Sequence, residues 1–300
     1  MPAARGSQLL RKPVRLACVQ FASTPDKTSN LDMARRKVLA AARNGARIIV
    51  LPECFNSPYS TEAFPKYAEV FHPSPPSASA SPTFHALSAM AQEADAYVVG
   101  GSIPELEPDT GKYYNTSLVF SPQGHLLGWH RKAHLFDVDF PGQMTFRESD
   151  VLSPGTSTTL IELEDYGYIG LGICFDIRFP ELAAIAARKG AFALIYPSAF
   201  NTTTGPKHWE LLGRARAVDN QVFVAMCSQS FSGSGYPAWG HSMIVDPSGQ
   251  VMSTIGREEG IVYAELDDAR IQYCRHWIPM ETQRRFDLYP DVSKFTSGQD

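Results

Sequence analysis

The feature that most constrains this chain is an apolar segment that ends in a cysteine and leads directly into a helix start. Residues 168–173 are predicted as a strand, and Cys174 follows on a turn. Pro180, which the first helical turn tolerates, opens a predicted helix that extends to Gly190. A thiol on such a strand-to-helix turn gains exposure and lies beside backbone N–H groups that can hold an oxyanion. From this segment alone, Cys174 is either a nucleophile or a small buried core residue.

The composition is that of a soluble globular protein with a sizeable core. The chain has 300 residues, of which 44% are hydrophobic and 19% are charged. Its net charge of -4 gives no electrostatic footprint for nucleic acid or for an anionic membrane. No apolar run approaches the roughly 20 residues that a membrane-spanning helix needs. We therefore expect neither nucleic-acid nor membrane partners.

The cysteines predict a reducing environment. They number 5, which is odd, and no two form a C-x-x-C pair: Cys18, Cys54, Cys174, Cys227 and Cys274. This pattern argues against a disulfide framework and against a structural zinc site. A cytoplasmic location fits it best. Residues 1–12 contain neither an acidic residue nor the apolar core of a secretion signal, so a mitochondrial leader is the alternative to a disordered tail.

Strands and helices alternate along most of the chain. Strands are also predicted at residues 14–20, 47–51, 96–99, 115–120, 126–131, 192–196, 222–227, 242–245, 250–255 and 261–265. Further helices are predicted from a cap at Ser29 and Asn30 to Gly45, from Pro82 onward, and over residues 208–218. Turns at 121–124 and 246–249 predict hairpins. Mixed βαβ units and hairpins together predict a layered α/β sandwich.

We expect a single domain over residues 13–290, between a flexible N-terminal tail at 1–12 and a C-terminal tail at 291–300. Folds of the α/β class often form one domain at this length. The sequence shows no internal repeat and no long linker. The Pro/Ser/Ala-rich stretch at 72–82 is short, so it is predicted as a surface loop rather than a domain boundary.

Two further polar residues stand where predicted strands end. Glu53 follows the apolar run 48–52, at the carboxyl end of a strand, where ligands bind in open α/β sheets. Apolar surroundings raise the pKa of a carboxyl group toward the range of a general base. Lys132 ends the strand at 126–131 and can hold a developing oxyanion as a point charge. Taken singly, both residues are also compatible with ordinary surface charge, and Glu148 alone carries little signal.

Glu53, Lys132 and Cys174 together form a chemically complete set. A thiolate attacks an acyl carbon, a carboxylate takes and returns the proton, and an ammonium group stabilises the tetrahedral oxyanion. A Cys/His pair is the common alternative. The sequence context marks none of the nearby histidines as a base, and these are His130, His134, His208 and His241.

Three blocks of the sequence resemble the signature of the nitrilase (carbon–nitrogen hydrolase) superfamily. They are Leu-Pro-Glu at 51–53, His-Arg-Lys at 130–132 and Gly-Ile-Cys-Phe-Asp-Ile-Arg-Phe at 172–179, in the expected order, and the resemblance extends over residues 15–289. Further stretches resemble one branch of the superfamily, the omega-amidases, and these are residues 53–59, 134–139, 146–149, 199–210 and 214–221. Phe175 and Ile177 depart from the pattern, because tyrosine and methionine are more familiar there.

The resemblance implies a four-layer αββα sandwich that pairs with a second subunit as a homodimer. It implies Glu53 as base, Lys132 as oxyanion stabiliser and Cys174 as a nucleophile that forms a thioester, with Glu148 positioning the lysine and the substrate. Lys132 and the N–H groups of the turn would favour a thiolate. No metal or organic cofactor is implied. The expected partner is a small amide, because omega-amidases hydrolyse the terminal amide of 2-oxoglutaramate and 2-oxosuccinamate to the 2-oxo acid and ammonia.

A substrate that carries a carboxylate far from its amide needs a cationic or hydroxyl-bearing anchor. Arg178 is the predicted anchor, and the alternative is a structural ion pair with Asp176, Glu181 or another acidic residue. The threonines of the 200–210 stretch either bind the same end or shape the loop. The further residues predicted to contact substrate are Tyr59, Phe175, Phe200, Thr203 and Thr204.

Two other classes of function stay open. Within the superfamily, the chain could be an amidase for deaminated glutathione or an N-carbamoyl-amine hydrolase, and the omega-amidase-like stretch at 200–210 disfavours both. Outside enzymes, it could be a catalytically idle interaction protein on the same fold. The presence of Glu53, Lys132 and Cys174 together disfavours that class, because an idle site has no chemical need for all three.

Overall fold

The computed structural model describes residues 8–72, 74–142, 144–231 and 235–289. The strands in these ranges are β1 (Val14–Gln20), β2 (Ile48–Val50), β3 (Tyr97–Val99), β4 (Ile103–Glu107), β5 (Lys112–Phe120), β6 (Leu126–Arg131), β7 (Asp137–Phe140), β8 (Met144–Arg147), β9 (Thr159–Leu163), β10 (Gly167–Leu171), β11 (Ala191–Ser198), β12 (Phe223–Ser228), β13 (Met243–Val245), β14 (Val251–Thr254) and β15 (Gly260–Leu266). The α-helices are α1 (Lys27–Arg43), α2 (Phe64–Tyr67), α3 (Pro82–Ala94), α4 (Pro180–Arg188), α5 (Gly205–Asn220), α6 (Asp268–Trp277) and α7 (Met280–Gln283). None of the helices in the described ranges has the length and apolar character needed to span a bilayer.

Most strands of the described residues belong to two sheets. The first has the order β15-β1-β2-β3-β5-β4, with β6 paired to β5, and the second has the order β14-β13-β12-β11-β10-β9. Among the described residues, β7 and β8 form a separate two-stranded sheet. Neighbours are parallel from β1 through β2 to β3 and from β10 through β11 to β12. Each sheet therefore has a parallel centre whose strands end at one edge of that sheet, the edge at which ligands bind in α/β folds.

The sheets pack face to face, and helices cover their outer faces. Side chains alternate along β1: Leu16 and Cys18 point into the core between the sheets, whereas Ala17 and Val19 pack in the cluster that contains α1 and α3. The helices α4 and α5 cover the second sheet in the same way. This arrangement is the four-layer αββα sandwich that the sequence predicts.

Helix α1 begins before the predicted cap. Asp26 is the N-cap, and its carboxylate accepts hydrogen bonds from the N–H groups of Thr28 and Ser29 at 2.9 and 3.2 Å. Asn30 is buried, and its side-chain amide donates to the carbonyl of Thr24 at 2.7 Å. The prediction of a cap at Ser29 and Asn30 is wrong because Asp26, an equally strong capping residue, lies just ahead of them.

Several other elements differ from the sequence prediction. The helix predicted at 208–218 begins at Gly205 and ends at Asn220. The strands β4, β7, β8 and β9 and the helices α2, α6 and α7 were not predicted. Pro104 lies inside β4 and breaks the strand pattern, since proline cannot donate to a sheet ladder. The strands β7 and β8 have only 4 residues each, so their polar–apolar alternation is too short to stand out in the sequence.

Part of the predicted N-terminal tail is anchored. The Leu10 side chain is fully buried in the core between the sheets. The N–H groups of Leu9 and Leu10 donate to Oδ1 of Asp268, each at 3.1 Å. The prediction of a flexible tail therefore fails for these residues, because apolar burial and a buried carboxylate fix them. Residues 1–7 and 290–300 lie outside the described residues.

Candidate active site

Glu53, Lys132 and Cys174 meet at one edge of the sandwich. Glu53 follows β2, Lys132 follows β6 and Cys174 follows β10, so the two sheets contribute different members of the set. All three side chains are buried. The structure thus brings together the residues that the sequence places at strand ends, and Glu148 lies beside them.

The backbone on either side of this edge is strained. Cys174 begins the short 3₁₀ helix Cys174–Arg178 and has a φ of 45°. Cys54, which follows Glu53 directly, has a φ of 49°. Residues other than glycine rarely adopt this left-handed conformation, and such strain persists where the surrounding structure holds it. At the cysteine turn, Oδ2 of Asp176 holds it by accepting the N–H of Ile173 at 2.9 Å.

Lys132 lies between two glutamates. Its Nζ donates to Oε1 of Glu53 and to Oε1 of Glu148, both at 2.9 Å, and lies 3.5 Å from the hydroxyl of Tyr59. Burial alone acts to lower the pKa of Lys132, but the charges of Glu148 and Glu53 outweigh burial and raise this pKa well above its ordinary value. The two carboxylates therefore stabilise the charged ammonium form of Lys132.

The two carboxylate oxygens of Glu53 differ in their hydrogen bonding. Its Oε1 accepts from Lys132 and from Nδ2 of Asn115, each at 2.9 Å. Its Oε2 is buried without a hydrogen-bond donor among the described residues. Burial raises the pKa of Glu53, the charge of Lys132 opposes this rise, and the charge of Glu148 adds to it. Glu53 therefore has a free lone pair and a raised pKa, as a general base requires.

The Cys174 thiol is protonated in the resting site. Burial raises the pKa of this thiol well above its ordinary value, and the neighbouring Glu53 carboxylate raises it further, against a smaller opposing effect of Lys132. The Lys132 charge lowers this pKa, in the direction that the sequence predicts, but desolvation outweighs the ammonium charge. Cys174 needs a base, and Glu53 is in place to act as one.

The histidines nearest the turn serve another carboxylate. Nε2 of His130 and Nδ1 of His134 lie 3.0 and 2.8 Å from the oxygens of Asp176. Nδ1 of His130 is also bonded, at 2.9 Å from the hydroxyl of Thr159. Neither histidine is hydrogen bonded to Cys174 in the described part of the chain. This arrangement disfavours the Cys/His alternative.

A cavity opens beside Cys174 and contains a cationic side chain. Nη1 of Arg178 lies 3.1 Å from Nδ1 of His208. Within the described ranges no carboxylate lies within 4.0 Å of this guanidinium group, so the alternative of an ion pair with Asp176 or Glu181 is wrong. The residues that line the cavity are Phe136, Cys174, Phe175, Arg178, Ala199, Phe200, Asn201, Thr204 and Tyr236.

The predicted hydroxyl-bearing contacts are mostly engaged elsewhere. The Tyr59 hydroxyl donates to Oε1 of Glu148 at 2.7 Å and therefore belongs to the lysine network rather than to the cavity wall. Thr204 lines the cavity, but its hydroxyl donates to Oδ1 of Asn201 at 3.1 Å. The N–H of Thr203 donates to the same oxygen at 3.0 Å, and Thr203 does not line the cavity. The interpretation that the threonines shape a loop is the one that this geometry supports.

Sequence reasoning missed Asn115, Tyr236 and the contact between His208 and Arg178. Asn115 begins a polar run, Asn-Thr-Ser at 115–117, inside the buried strand β5, and polar residues within a buried strand are a signal that could have marked it. Tyr236 lines the cavity, and its ring centroid lies 4.5 Å from that of Tyr59. Its loop carries no motif, so no sequence signal pointed to it.

Most of the chain matches the model of a known protein family. The family model described as carbon-nitrogen hydrolase matches residues 15–276. This chain belongs to the carbon–nitrogen hydrolase family. The family resemblance of the three sequence blocks is thereby confirmed, and each block supplies one of the residues that meet at the sandwich edge.

Relatives of this hydrolase extend over nearly the whole chain. It is 51% identical to "Omega-amidase NIT3" of Saccharomyces cerevisiae, over 96% of this chain and 98% of that protein. It is 51% identical to "Omega-amidase NIT2" of Bos taurus, over 93% of this chain and 98% of that protein. The crystal structure of Saccharomyces cerevisiae Nit3, described as a member of branch 10 of the nitrilase superfamily, superimposes with a TM-score of 0.86 at 48% identity, covering 94% of this chain and 100% of that chain.

Proposed function

We propose that this hydrolase is an omega-amidase, which cleaves the terminal amide of a short 2-oxo acid such as 2-oxoglutaramate or 2-oxosuccinamate. The products would be the 2-oxo acid and ammonia. The observation that carries the chemistry is the bonding of Lys132 between Glu53 and Glu148, with the open oxygen of Glu53 beside Cys174. The relatives named omega-amidase support the choice of substrate.

The first half of the reaction forms a thioester. Oε2 of Glu53 takes the Cys174 proton as the sulfur attacks the amide carbon. The tetrahedral oxyanion is held by the Lys132 ammonium group and by the backbone N–H of Phe175. Glu53 then gives its proton to the leaving nitrogen, the C–N bond breaks, and ammonia departs.

The second half of the reaction hydrolyses the thioester. A water molecule takes the place of ammonia, and Glu53 removes one of its protons as the oxygen attacks the acyl carbon. The same donors hold the second oxyanion. Collapse of this intermediate breaks the C–S bond, releases the carboxylic acid and returns the proton to Cys174. Glu53 acts as base and acid in both halves, so one carboxyl group with a raised pKa serves all the proton transfers.

Glu148 has a separate task from Glu53. Its Oε1 accepts from Lys132, and its Oε2 accepts the N–H of Phe136 at 2.7 Å, so this carboxylate is fixed on both sides. Glu148 can therefore compensate the lysine charge while Glu53 gains and loses its proton. Without Glu148, protonation of Glu53 would leave a buried ammonium group with no anionic partner.

The cavity supports a substrate with an anionic end. Arg178 provides a cation in the cavity wall, and Phe175 and Phe200 provide apolar walls for a short carbon chain. In this proposal the amide lies at Cys174 and the distal carboxylate lies at Arg178.

We also propose a homodimer. The helices α4 and α5 leave apolar side chains exposed on the outer face of the second sheet, namely Ile185, Leu211 and Val218. Leu211 is the most exposed of the three, at 64%, and the two helices that carry them contact each other. Burial against the same helices of a second copy would remove this surface from water. The cytoplasmic location, with the mitochondrial alternative, stays a prediction that cell fractionation tests.

The test of the proposed function is release of ammonia from a substrate panel. The panel contains 2-oxoglutaramate, 2-oxosuccinamate, deaminated glutathione and an N-carbamoyl amine. We expect the 2-oxo amides to have the highest kcat/KM. Cys174→Ala should abolish turnover of every substrate while circular dichroism shows an intact fold, because the thiol is the covalent nucleophile. A preference for deaminated glutathione would overturn the assignment of the substrate. Activity retained in Cys174→Ala would overturn the assignment of Cys174 as the nucleophile.

A further inference from the structure

The guanidinium group of Arg178 has one edge bonded and one edge unbonded. Nη1 donates to Nδ1 of His208 at 3.1 Å. Nε is buried without an acceptor, and Nη2 has no acceptor among the described residues either. Nε and Nη2 lie on the same side of a guanidinium group and form the two-donor edge that binds a carboxylate. A buried N–H without an acceptor is unfavourable, so this edge is arranged for an acceptor that a ligand brings.

Two aromatic rings fix the plane of the same group. The central carbon of Arg178 lies 5.4 Å from the ring centroid of Phe175 and 5.1 Å from that of Phe200. Cation–π contacts at these distances favour one position of the guanidinium plane. Phe175 and Phe200 also line the cavity beside Cys174. The rings therefore hold the charge in the cavity wall without supplying a negative partner.

Helix α5 holds Arg178 at both ends. His208 lies in the first turn of α5 and contacts the guanidinium group. Arg216, two turns further along α5, donates from Nη2 to the carbonyl of Arg178 at 3.1 Å. Because a guanidinium group only donates hydrogen bonds, Nδ1 of His208 must be the acceptor and must carry no proton. His208 is thus a neutral imidazole when it holds Arg178.

We propose that His208 is a positioning residue for substrate specificity. By accepting from Nη1, it turns the Nε and Nη2 edge of Arg178 toward the cavity, where this edge binds the distal carboxylate of the substrate in a two-point contact. This inference rests on the proposed function for the identity of the substrate, but the ligand chemistry it requires is general: a carboxylate a few carbons from the reacting amide. His208 touches neither the reacting carbon nor Cys174, so its effect passes through Arg178.

The experiment compares a carboxylate-bearing amide, 2-oxoglutaramate, with pentanamide, a neutral amide of equal chain length. His208→Phe keeps a ring but removes the acceptor. We expect it to raise KM for 2-oxoglutaramate by about fivefold to tenfold, to leave kcat within about twofold, and to leave kcat/KM for pentanamide nearly unchanged. His208→Gln, whose amide oxygen can accept from Nη1, should recover most of the lost affinity. Arg178→Met should raise KM for 2-oxoglutaramate by about tenfold or more.

Two further measurements separate positioning from general support of the fold. In an Arg178→Met background, His208→Phe should have no additional effect, because the group that it positions is gone. Lys207→Met, an exposed neighbour in the same helical turn, removes a positive charge outside the cavity and should leave both substrates unaffected. Equal losses on both substrates, or additive effects of His208→Phe and Arg178→Met, would overturn the proposal.

Binding of glutarate, a dicarboxylate without an amide, keeps this test independent of turnover. Calorimetry on the wild-type protein should detect glutarate, and both His208→Phe and Arg178→Met should weaken its Kd by about the same factor as they raise KM. Should 2-oxoglutaramate fail as a substrate while glutarate binds in this way, the proposed function falls and the role of His208 stands. If glutarate does not bind the wild-type protein, or binds all variants equally, the role of His208 is refuted.

Discussion

Nε2 of His130 lies 3.0 Å from Oδ2 of Asp176, and this buried contact joins the two sheets at the site. His130 and Lys132 alternate with Arg131 at the end of β6, so they leave the strand on the same side. Asp176 lies two residues beyond Cys174 and accepts the N–H of Ile173. The contact therefore ties the strand that carries the lysine to the turn that carries the cysteine.

Asp176→Asn should destabilise the protein and lower activity. Breaking a buried charged contact costs about 3 kcal/mol of unfolding free energy, and the turn at Cys174 would lose its anchor. Burial opposes ionisation of Asp176, but the hydrogen bonds from His130 and His134 outweigh it and hold the pKa of this carboxyl below its ordinary value. A carboxyl with a depressed folded-state pKa contributes stability that is complete above its unfolded value, about pH 3.9, and is lost as pH falls further.

Urea unfolding of the wild type and Asp176→Asn at several pH values measures this contribution. The difference between them should be constant near neutral pH and should shrink below about pH 4. Asp32→Asn, at an exposed position of α1, is the matched control and should cost little. A difference between wild type and Asp176→Asn that persists undiminished at low pH would show that Asp176 acts by shape alone.

The raised pKa of Glu53 should appear in the pH profile of the enzyme. Only the ionised carboxylate can accept the thiol proton, so kcat/KM should rise with pH through the raised pKa of Glu53. We expect this acidic limb above about pH 4.3, the ordinary glutamate value. Glu53→Gln should lower the rate of acyl-enzyme formation by about 10²–10⁴, measured as a burst of ammonia. A wild-type burst in Glu53→Gln would remove Glu53 from the role of base.

Glu148→Gln should impair chemistry more than binding. The change leaves the Lys132 charge compensated by Glu53 alone, so Glu53 becomes a poorer base, and we expect kcat to fall about 10²-fold with little change in KM. Tyr59→Phe removes one hydrogen bond to Glu148 and is the milder comparison, with an expected loss of about tenfold or less in kcat. A rise in KM for 2-oxoglutaramate in Tyr59→Phe would instead place the Tyr59 hydroxyl at the substrate carboxylate.

Leu211→Glu should disrupt the proposed homodimer. A carboxylate on the exposed face of α5 would have to be buried unpaired if two copies meet there. Sedimentation at micromolar concentration should show a dimer for the wild type and a monomer for Leu211→Glu. Leu127→Glu is the matched control, because Leu127 is an exposed leucine on β6 in the other sheet. If the wild type and Leu211→Glu were both monomers, or were both dimers, the assignment of the interface to this face would be contradicted.

The backbone of the site was predictable because its signals are local. The strand before Glu53 is a short apolar run that ends at a proline, and the turn at Cys174 is bounded by a strand and by Pro180. These signals require no knowledge of distant parts of the chain. The cap of α1 was mispredicted even though its signal is local, because Asp26 and Ser29 are both good capping residues and only packing selects between them.

The partners within the site were less predictable because they come from separate elements. No sequence pattern links Tyr59 to Glu148, 89 positions further along the chain, yet their hydrogen bond removes the Tyr59 hydroxyl from the cavity. The extent to which burial raises the pKa of Cys174 was also out of reach, since this pKa follows from the balance between burial and the opposite charges of Glu53 and Lys132. Both outcomes depend on three-dimensional packing rather than on residue type.

The reacting groups are mounted on opposite halves of the sandwich, and this division has a consequence for how the enzyme can change. Glu53 and Lys132 belong to one sheet and Cys174 to the other, so the apolar layer between the sheets acts as a spacer that sets the reacting distance. Substitutions on the solvent-facing sides of the outer helices can alter solubility or assembly and leave the rate untouched. Substitutions in this apolar layer shift Glu53 relative to Cys174. The catalytic rate would therefore fall when the packing between the sheets loosens, even though the protein remains folded.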